Sequence, residues 1–181
     1  MTTENDAERP QGDAAAAGGK PSAYAFLAYA DGSSLLNPGP SGWAATILRP
    51  DGTRTTLRGS SPKASNNQME LTAAIAVLEA LPLGARGAIR CDSQYVVQGV
   101  NEWRAKWEAS GWQNSKRRPV ANRELWVRLF ALVDERPGVS FEWVRGHGFD
   151  PENDLVDTLA RGEAEKEQAT QAALRNGWGL A

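Results

Sequence analysis

Two short apolar runs in this chain end on the same kind of residue. Residues 24–30 run into Asp31-Gly32-Ser33, and Gly87–Cys91 runs into Asp92-Ser93. A carboxylate at the end of a buried strand lies beside a low-dielectric core, where an unpaired negative charge is costly. Something should therefore neutralise Asp31, and a metal ion is one candidate. The alternative is a plain turn, since Asp-Gly is among the commonest turn pairs. Two more carboxylates fall on expected helices, Glu70 in the first turn of one and Asp157 on the last. Acidic residues at strand ends and helix starts face the loop side of a sheet, where α/β sites usually form. Four carboxylates converging there would repel one another unless cations sat between them. Oxygen-only ligands suit hard ions, and Mg²⁺ binds a few carboxylates while keeping waters for a phosphate substrate. Two such ions roughly 3.5–4 Å apart clamp the attacking and leaving oxygens of an in-line phosphoryl displacement.

The elements that must carry these residues follow from apolar spacing. After the strand over 24–30, the stretch up to Gly42 carries Asn37-Pro38-Gly39-Pro40 and reads as an irregular loop. Residues 42–48 and 53–59 flank Pro50-Asp51-Gly52 and make a hairpin. Leu71, Ala74, Ile75, Leu78 and Leu81 recur at helical spacing, with Ser65, Asn66 and Asn67 as N-cap candidates and Pro82 as the stop. A strand over Gly87–Cys91 precedes a helical region that opens over residues 94–100 and is interrupted at Gly111. Residues 123–135 are amphipathic through Leu125, Trp126, Leu129, Leu132 and Val133, and 139–145 alternate like a half-buried strand. Pro151 opens a last helix with Leu155, Val156, Leu159 and Ala160 inward. The order β-β-β-α-β-α-α-β-α predicts an α/β domain, a mixed sheet with helices packed on it.

Composition bounds the rest. A chain of 181 residues is one ordinary domain with room for a tail, long enough to bury a core without disulfides. The single cysteine, Cys91, excludes an internal disulfide framework and suits a reducing cytoplasm. No stretch approaches a membrane span, and the N-terminus lacks the basic-then-apolar pattern of a signal peptide. With no exposed apolar stripe evident, a monomer is the expectation. Residues 1–22 are polar and rich in Ala, Gly and Pro, and read as a disordered extension. Residues 163–181 read as a charged, alanine-rich tail whose helix frays, leaving 23–162 as the domain. The net charge of −2 does not by itself advertise nucleic acid. The seven tryptophans do stand out, because several crowd between Trp103 and Trp126.

Taken together, Asp31-Gly32-Ser33 with Asn37-Pro38-Gly39-Pro40, Asn66-Asn67-Gln68-Met69-Glu70, Asp92-Ser93-Gln94-Tyr95, and Gly146-His147 with Pro151-Glu152-Asn153 and Asp157 resemble the type 1 ribonuclease H family. Each motif is weak alone, but all occur in the family's order from about Tyr24 to about Arg161. The resemblance implies a mixed five-stranded sheet, an antiparallel three-strand meander plus parallel strands, with helices on both faces. It implies a two-metal endonuclease that cuts the RNA strand of an RNA–DNA hybrid and leaves 5′-phosphate and 3′-hydroxyl ends. Asp31, Glu70, Asp92 and Asp157 would hold two Mg²⁺ ions, with Mn²⁺ as a substitute. His147, the one histidine, sits between glycines on a loop, and its unperturbed pKa of about 6.5 suits proton transfer. The family match gives it a part in moving protons or releasing the product phosphate, so its loss should slow turnover and spare metal binding.

Substrate recognition by resemblance falls to Asn37, Asn67 and Gln94 in the minor groove and at the ribose, where 2′-hydroxyls tell RNA from DNA. Ser65 and Asn66, near Lys63, resemble a pocket for a phosphate of the DNA strand. The simpler reading of Asn66 and Asn67 is helix capping. Trp103, Trp107 and Trp112, with Lys106, Lys116, Arg117 and Arg118, resemble the family's tryptophan-rich basic protrusion. Those rings could instead pack helices together. Glu108-Ala109-Ser110 and Ala121 are less basic than is common there, which predicts a modest salt dependence of KM. Two rivals share the fold, a non-catalytic hybrid-binding module and a DNA-directed nuclease. A serine hydrolase using Ser33 or Ser93 fails because neither lies in a G-x-S-x-G elbow.

Overall fold

The computed structural model describes residues 25–146 and 148–177. Five strands form one sheet in the order β3-β2-β1-β4-β5. They are β1 (Phe26–Ser34), β2 (Gly39–Leu48), β3 (Arg54–Ala64), β4 (Gly87–Cys91) and β5 (Val139–Trp143). The first three pair antiparallel, while β4 runs parallel to both β1 and β5. The expected meander plus parallel strands is therefore the observed sheet. Among the described residues no helix is long and apolar enough to cross a membrane.

The period-two alternation of β1 sorts its side chains between two cores. Phe26, Ala28 and Ala30 face α1 (Asn66–Ala80) and the larger cluster built on Leu71, Leu78, Ile89, Trp126 and Leu129. Tyr29 faces the other way and meets Ala44, Val156 and Ala160 beneath α5 (Pro151–Arg175). Helices thus cover both faces. The helical region after β4 is α2 (Gln94–Gln98), a π-helical turn over Gly99–Trp103 and α3 (Arg104–Ala109), followed by α4 (Arg123–Asp134). The indole of Trp126 fills the space beside Gly99, where an added Cβ would lie 1.9 Å from the ring.

Several boundaries differ from the sequence reading, each for a tertiary reason. β1 does not stop at Asp31, because its ladder with β2 continues through Asp31↔Ala44, Gly32↔Trp43 and Ser34↔Ser41. The expected irregular loop shrinks accordingly, closed by the Leu35 N–H on the Pro40 carbonyl at 3.0 Å. β3 likewise extends to Ala64, since β2 offers it partners along the whole length. Asp31-Gly32 is therefore no turn. Gly32 is needed because α1 crosses there, and a Cβ on it would lie 2.3 Å from the Glu70 nitrogen. Glu70 sits in the second turn of α1, not the first, because Ser65 is the N-cap. Residues 163–175 continue α5 without a break and rest on β3, with Ser60 Oγ on Glu167 at 3.0 Å and Gln171 Nε2 on the Pro62 carbonyl at 2.7 Å. Residues 1–22 lie outside the described residues.

Candidate active site

Asp31 occupies the middle of the central strand and is only 6% exposed. Its position puts it on the α5 side, two places beyond Tyr29 on the same face. Burial is the first reason its pKa rises from 3.8 to about 8, and the charge of Asp92 is the next. The Gly32 N–H opposes that rise, while Asp157 and Glu70 add to it. Four carboxylates therefore act on one another across β1, β4, α1 and α5.

Neighbouring groups hold two of the other three. Asp92 follows β4, the parallel neighbour of β1. Asn153, fully buried in the first turn of α5, donates from Nδ2 to Asp92 Oδ2 at 3.2 Å. The Trp143 indole N–H donates to the Asp92 carbonyl at 3.0 Å. Gly146 leaves room for that carboxylate, since a Cβ there would stand 2.2 Å from Asp92 Oδ2. Glu70 accepts a hydrogen bond from Ser93 Oγ, while the same oxygen accepts the Val96 N–H as the N-cap of α2. Burial pushes the Glu70 pKa up, the Ser93 bond pulls against it, and Asp92 pushes the same way as burial. Asp157 is half-buried on α5.

Among the described residues, no three His, Cys, Asp or Glu side chains converge closely enough to form a finished metal cage. The donors nevertheless fit a hard cation. They are all oxygen, Asp31 is buried, and its nearest charged influences are other carboxylates. Like charges in a low-dielectric site lower their energy by taking up protons or cations. His147 lies outside the described residues. Beside it, Gly148 has φ +82 and donates its N–H to Asp154 Oδ1 at 2.8 Å.

The residues expected to meet substrate divide into two groups. Ser65 is the N-cap of α1 in a capping box with Gln68, and Asn37 Oδ1 accepts the Asn66 N–H at 3.1 Å. Ser65 and Asn37 therefore shape the start of α1 as well as facing its surroundings. The Asn66 side-chain oxygen is buried without a partner, whereas Lys63, Asn67 and Gln94 are exposed. Trp103, Trp107 and Trp112 are half-buried in one ring cluster with Tyr95, Trp126 and Phe130, at centroid distances from 5.1 to 6.5 Å. Their packing role is established by those contacts. Trp103 and Trp107 also line an open groove of about 500 Å³ with Lys106, Ser110, Gln113 and Asn114, and none of the four carboxylates borders it. Lys116, Arg117 and Arg118 are exposed on the following loop, where Asn114 Oδ1 accepts the N–H groups of Lys116 and Arg118.

Sequence reasoning missed Ser93 and Asn153 as supports of Glu70 and Asp92. The signal for Ser93 was its place directly after a strand-end aspartate, where a hydroxyl can cap a helix and reach a neighbour. Asn153 stood only inside the Pro151-Glu152-Asn153 motif with nothing to name its partner, because only the docking of α5 brings it to Asp92.

This sheet order, with four acidic side chains gathered around its central strands from β1, the end of β4, α1 and α5, defines a mixed α/β domain with an all-oxygen candidate site. The ribonuclease H family model matches residues 23–165, and the chain belongs to that family. A ribonuclease H of Xanthomonas campestris pv. campestris (strain 8004) is 48% identical over 136 residues, covering 75% of this chain and 89% of that protein. Among solved structures, LC9-RNase H1, described as a type 1 RNase H with the type 2 active-site motif, superposes with a TM-score of 0.69. It is 28% identical over 80% of this chain and 74% of its own. LC11-RNase H1, solved in complex with an RNA/DNA hybrid, shares the fold at a TM-score of 0.61 and 20% identity, over 79% of this chain and 99% of that one. The chain is an enzyme of the ribonuclease H class.

Proposed function

We propose that the chain hydrolyses the RNA strand of RNA–DNA hybrids at the carboxylate cluster, leaving 5′-phosphate and 3′-hydroxyl ends, and that it works as a monomer in the cytoplasm. The observation that carries this reading is Asp31, a buried carboxylate whose pKa is raised by burial and by three other acidic side chains. In a member of this family, such a cluster is suited to hold the divalent cations that Asp31, Glu70, Asp92 and Asp157 would share. Two bound Mg²⁺ ions would supply activation of a water and stabilisation of the leaving oxygen. Asp31 on β1 and Asp92 directly after its parallel neighbour β4 would give the site its rigid half. Ser93 and Asn153 hold Glu70 and Asp92 in their rotamers, which limits the reorganisation needed when substrate arrives. His147, next to the glycine that makes room for Asp92, would move a proton or help the product phosphate leave.

Hybrid recognition would fall to the exposed Asn67 and Gln94 at 2′-hydroxyls, with Asn37 beside them, and to Lys63, Ser65 and Asn66 at a DNA phosphate. The half-buried edges of Trp103, Trp107 and Trp112, with Lys116, Arg117 and Arg118, would lie along the DNA strand. The fold it shares with a protein solved on a hybrid supports the same substrate. The test incubates the protein with labelled hybrid, duplex RNA, duplex DNA and single-stranded RNA, each with Mg²⁺, with Mn²⁺ and with chelator. Cleavage of the hybrid's RNA strand alone, and only with metal, is expected. Metal-independent cleavage, or cutting of duplex DNA, would overturn the reading.

A further inference from the structure

The start of α5 is fastened to the sheet by a part-buried chain of polar groups. Tyr29 is 3% exposed, and its hydroxyl lies 2.9 Å from Asp150 Oδ2 and 3.2 Å from Arg90 Nη1. A guanidinium can only donate, so Arg90 occupies a lone pair of the hydroxyl and the phenolic proton goes to Asp150. Arg90 is aimed in turn by Glu142 of β5, with Nε 3.0 Å from Oε2. Asp150 uses its other oxygen, Oδ1, to accept the Glu152 N–H at 3.0 Å as the N-cap of α5. One carboxylate thus begins the helix and ties it to the central strand.

The position of this tie gives it a consequence. Tyr29 precedes Asp31 on the same face of β1, and Asp150 precedes Asp157 by about two helical turns, so both lie on similar faces of α5. The pairs Tyr29–Asp150 and Asp31–Asp157 are successive points along one strand–helix contact. The first two turns of α5 carry two other ties. Arg54 to Glu152 joins exposed side chains at 2.5 and 2.7 Å, and Asn153 to Asp92 reaches the loop after β4. An exposed ion pair holds a helix weakly. The Tyr29 link, made from a buried ring, reaches β1 itself.

We propose that Tyr29 is a positioning residue, and that its hydroxyl, aimed by Arg90 at Asp150, sets the place of Asp157 opposite Asp31. The inference rests on the metal-site reading above. Tyr29→Phe removes the hydroxyl and keeps the ring between Val156 and Ala160. Magnesium affinity is measured by calorimetry on the substrate-free protein, and hybrid cleavage is titrated with Mg²⁺ to separate kcat from KM. Loss of a group that orients metal ligands typically weakens metal binding on the order of tenfold. The expected result is therefore a tenfold weaker Mg²⁺ affinity, a matching rise in half-saturating Mg²⁺, an unchanged KM for hybrid and a thermal midpoint close to wild type. Arg54→Ala should leave all of these within twofold. Tyr29→Phe and Asp150→Asn should be non-additive when combined. If Tyr29→Phe matches wild type in Mg²⁺ affinity, or only lowers the thermal midpoint, the positioning role is wrong. If wild type neither binds Mg²⁺ nor needs it to cut hybrid, the metal-site reading has failed instead.

Discussion

The carboxylate end of the sheet and the aromatic protrusion are both conspicuous in composition, yet they are built on opposite terms. In the protrusion the rings and Arg104 answer other groups inside the protein. Six rings pack edge and face against one another, and Trp126 Nε1 donates to the Tyr95 hydroxyl at 2.9 Å. Arg104 makes a two-pronged bond to Asp134 at 2.6 Å and lies over the Phe130 ring. At the carboxylate end, acidic side chains raise one another's charge cost, and Asp31 is the extreme case. The difference separates a region whose contacts stabilise the fold from one that gathers unfavourable charge. Sites are often placed where local rules of stability are broken and the surroundings compensate.

The largest expected effect comes from removing the stored charge. Asp31→Asn should abolish nearly all metal-dependent hybrid cleavage while leaving the metal-free protein as stable as wild type or more so. Activity and thermal unfolding measured on one preparation check both halves, and retained cleavage would sink the ligand assignment. Glycine changes sharpen the contrast. Gly32→Ala would push a Cβ into the backbone of α1 beside Glu70, and Gly99→Ala would push one into Trp126. Each overpacking should cost about 1–3 kcal/mol. At matched stability, denaturant titrations paired with kinetics should show kcat falling for Gly32→Ala. Gly99→Ala should mainly lose stability.

The pH response follows from the sign of the Asp31 shift. Its folded-state pKa lies above the unfolded value, so protonation favours the folded form. That stabilisation is complete below 3.8 and is lost as pH rises through about 8. Glu70 is shifted the same way by burial and adds to the effect. In metal-free protein this contribution to the thermal midpoint should fall across that window, Asp31→Asn should flatten the slope, and Mg²⁺ at pH 8 should restore the loss. A scan of unfolding temperature against pH, with and without Mg²⁺, reads all three. The smallest effect belongs to the protrusion's exposed cations. Replacing Lys116, Arg117 and Arg118 by alanine should raise KM and lower the salt slope by about one for each phosphate contact removed. Steady-state kinetics at several salt concentrations should show kcat unchanged.

Much of the fold was legible in residue patterns. Gly87–Cys91 coincides with its predicted strand, and the Pro50-Asp51-Gly52 turn is there, with Gly52 at φ +82 and Asp51 Oδ1 holding the Thr53 N–H at 2.8 Å. The helix from Ser65 to Pro82 was readable because its cap, apolar spacing and stop are all local. In its immediate setting Asp31 carries a turn signal, since Asp-Gly favours turns locally, and only pairing with β2 carries the strand past it. The tryptophans allow two readings in sequence because composition cannot tell a ring that packs inside the protein from one that faces a groove. Trp107 does both.

The sequence by itself determined which residues could do chemistry, the order of the elements that carry them and the family they resemble, since type, spacing and order are properties of the chain. Tertiary structure alone decided how they are held. Gly32 serves α1 rather than a turn, Ser93 holds Glu70, Asn153 reaches Asp92, and Tyr29 meets Asp150 across 121 positions of chain. Hydrogen bonds and close approaches of that kind depend on how layers dock, and docking is settled by both hydrophobic clusters together, not by any one segment.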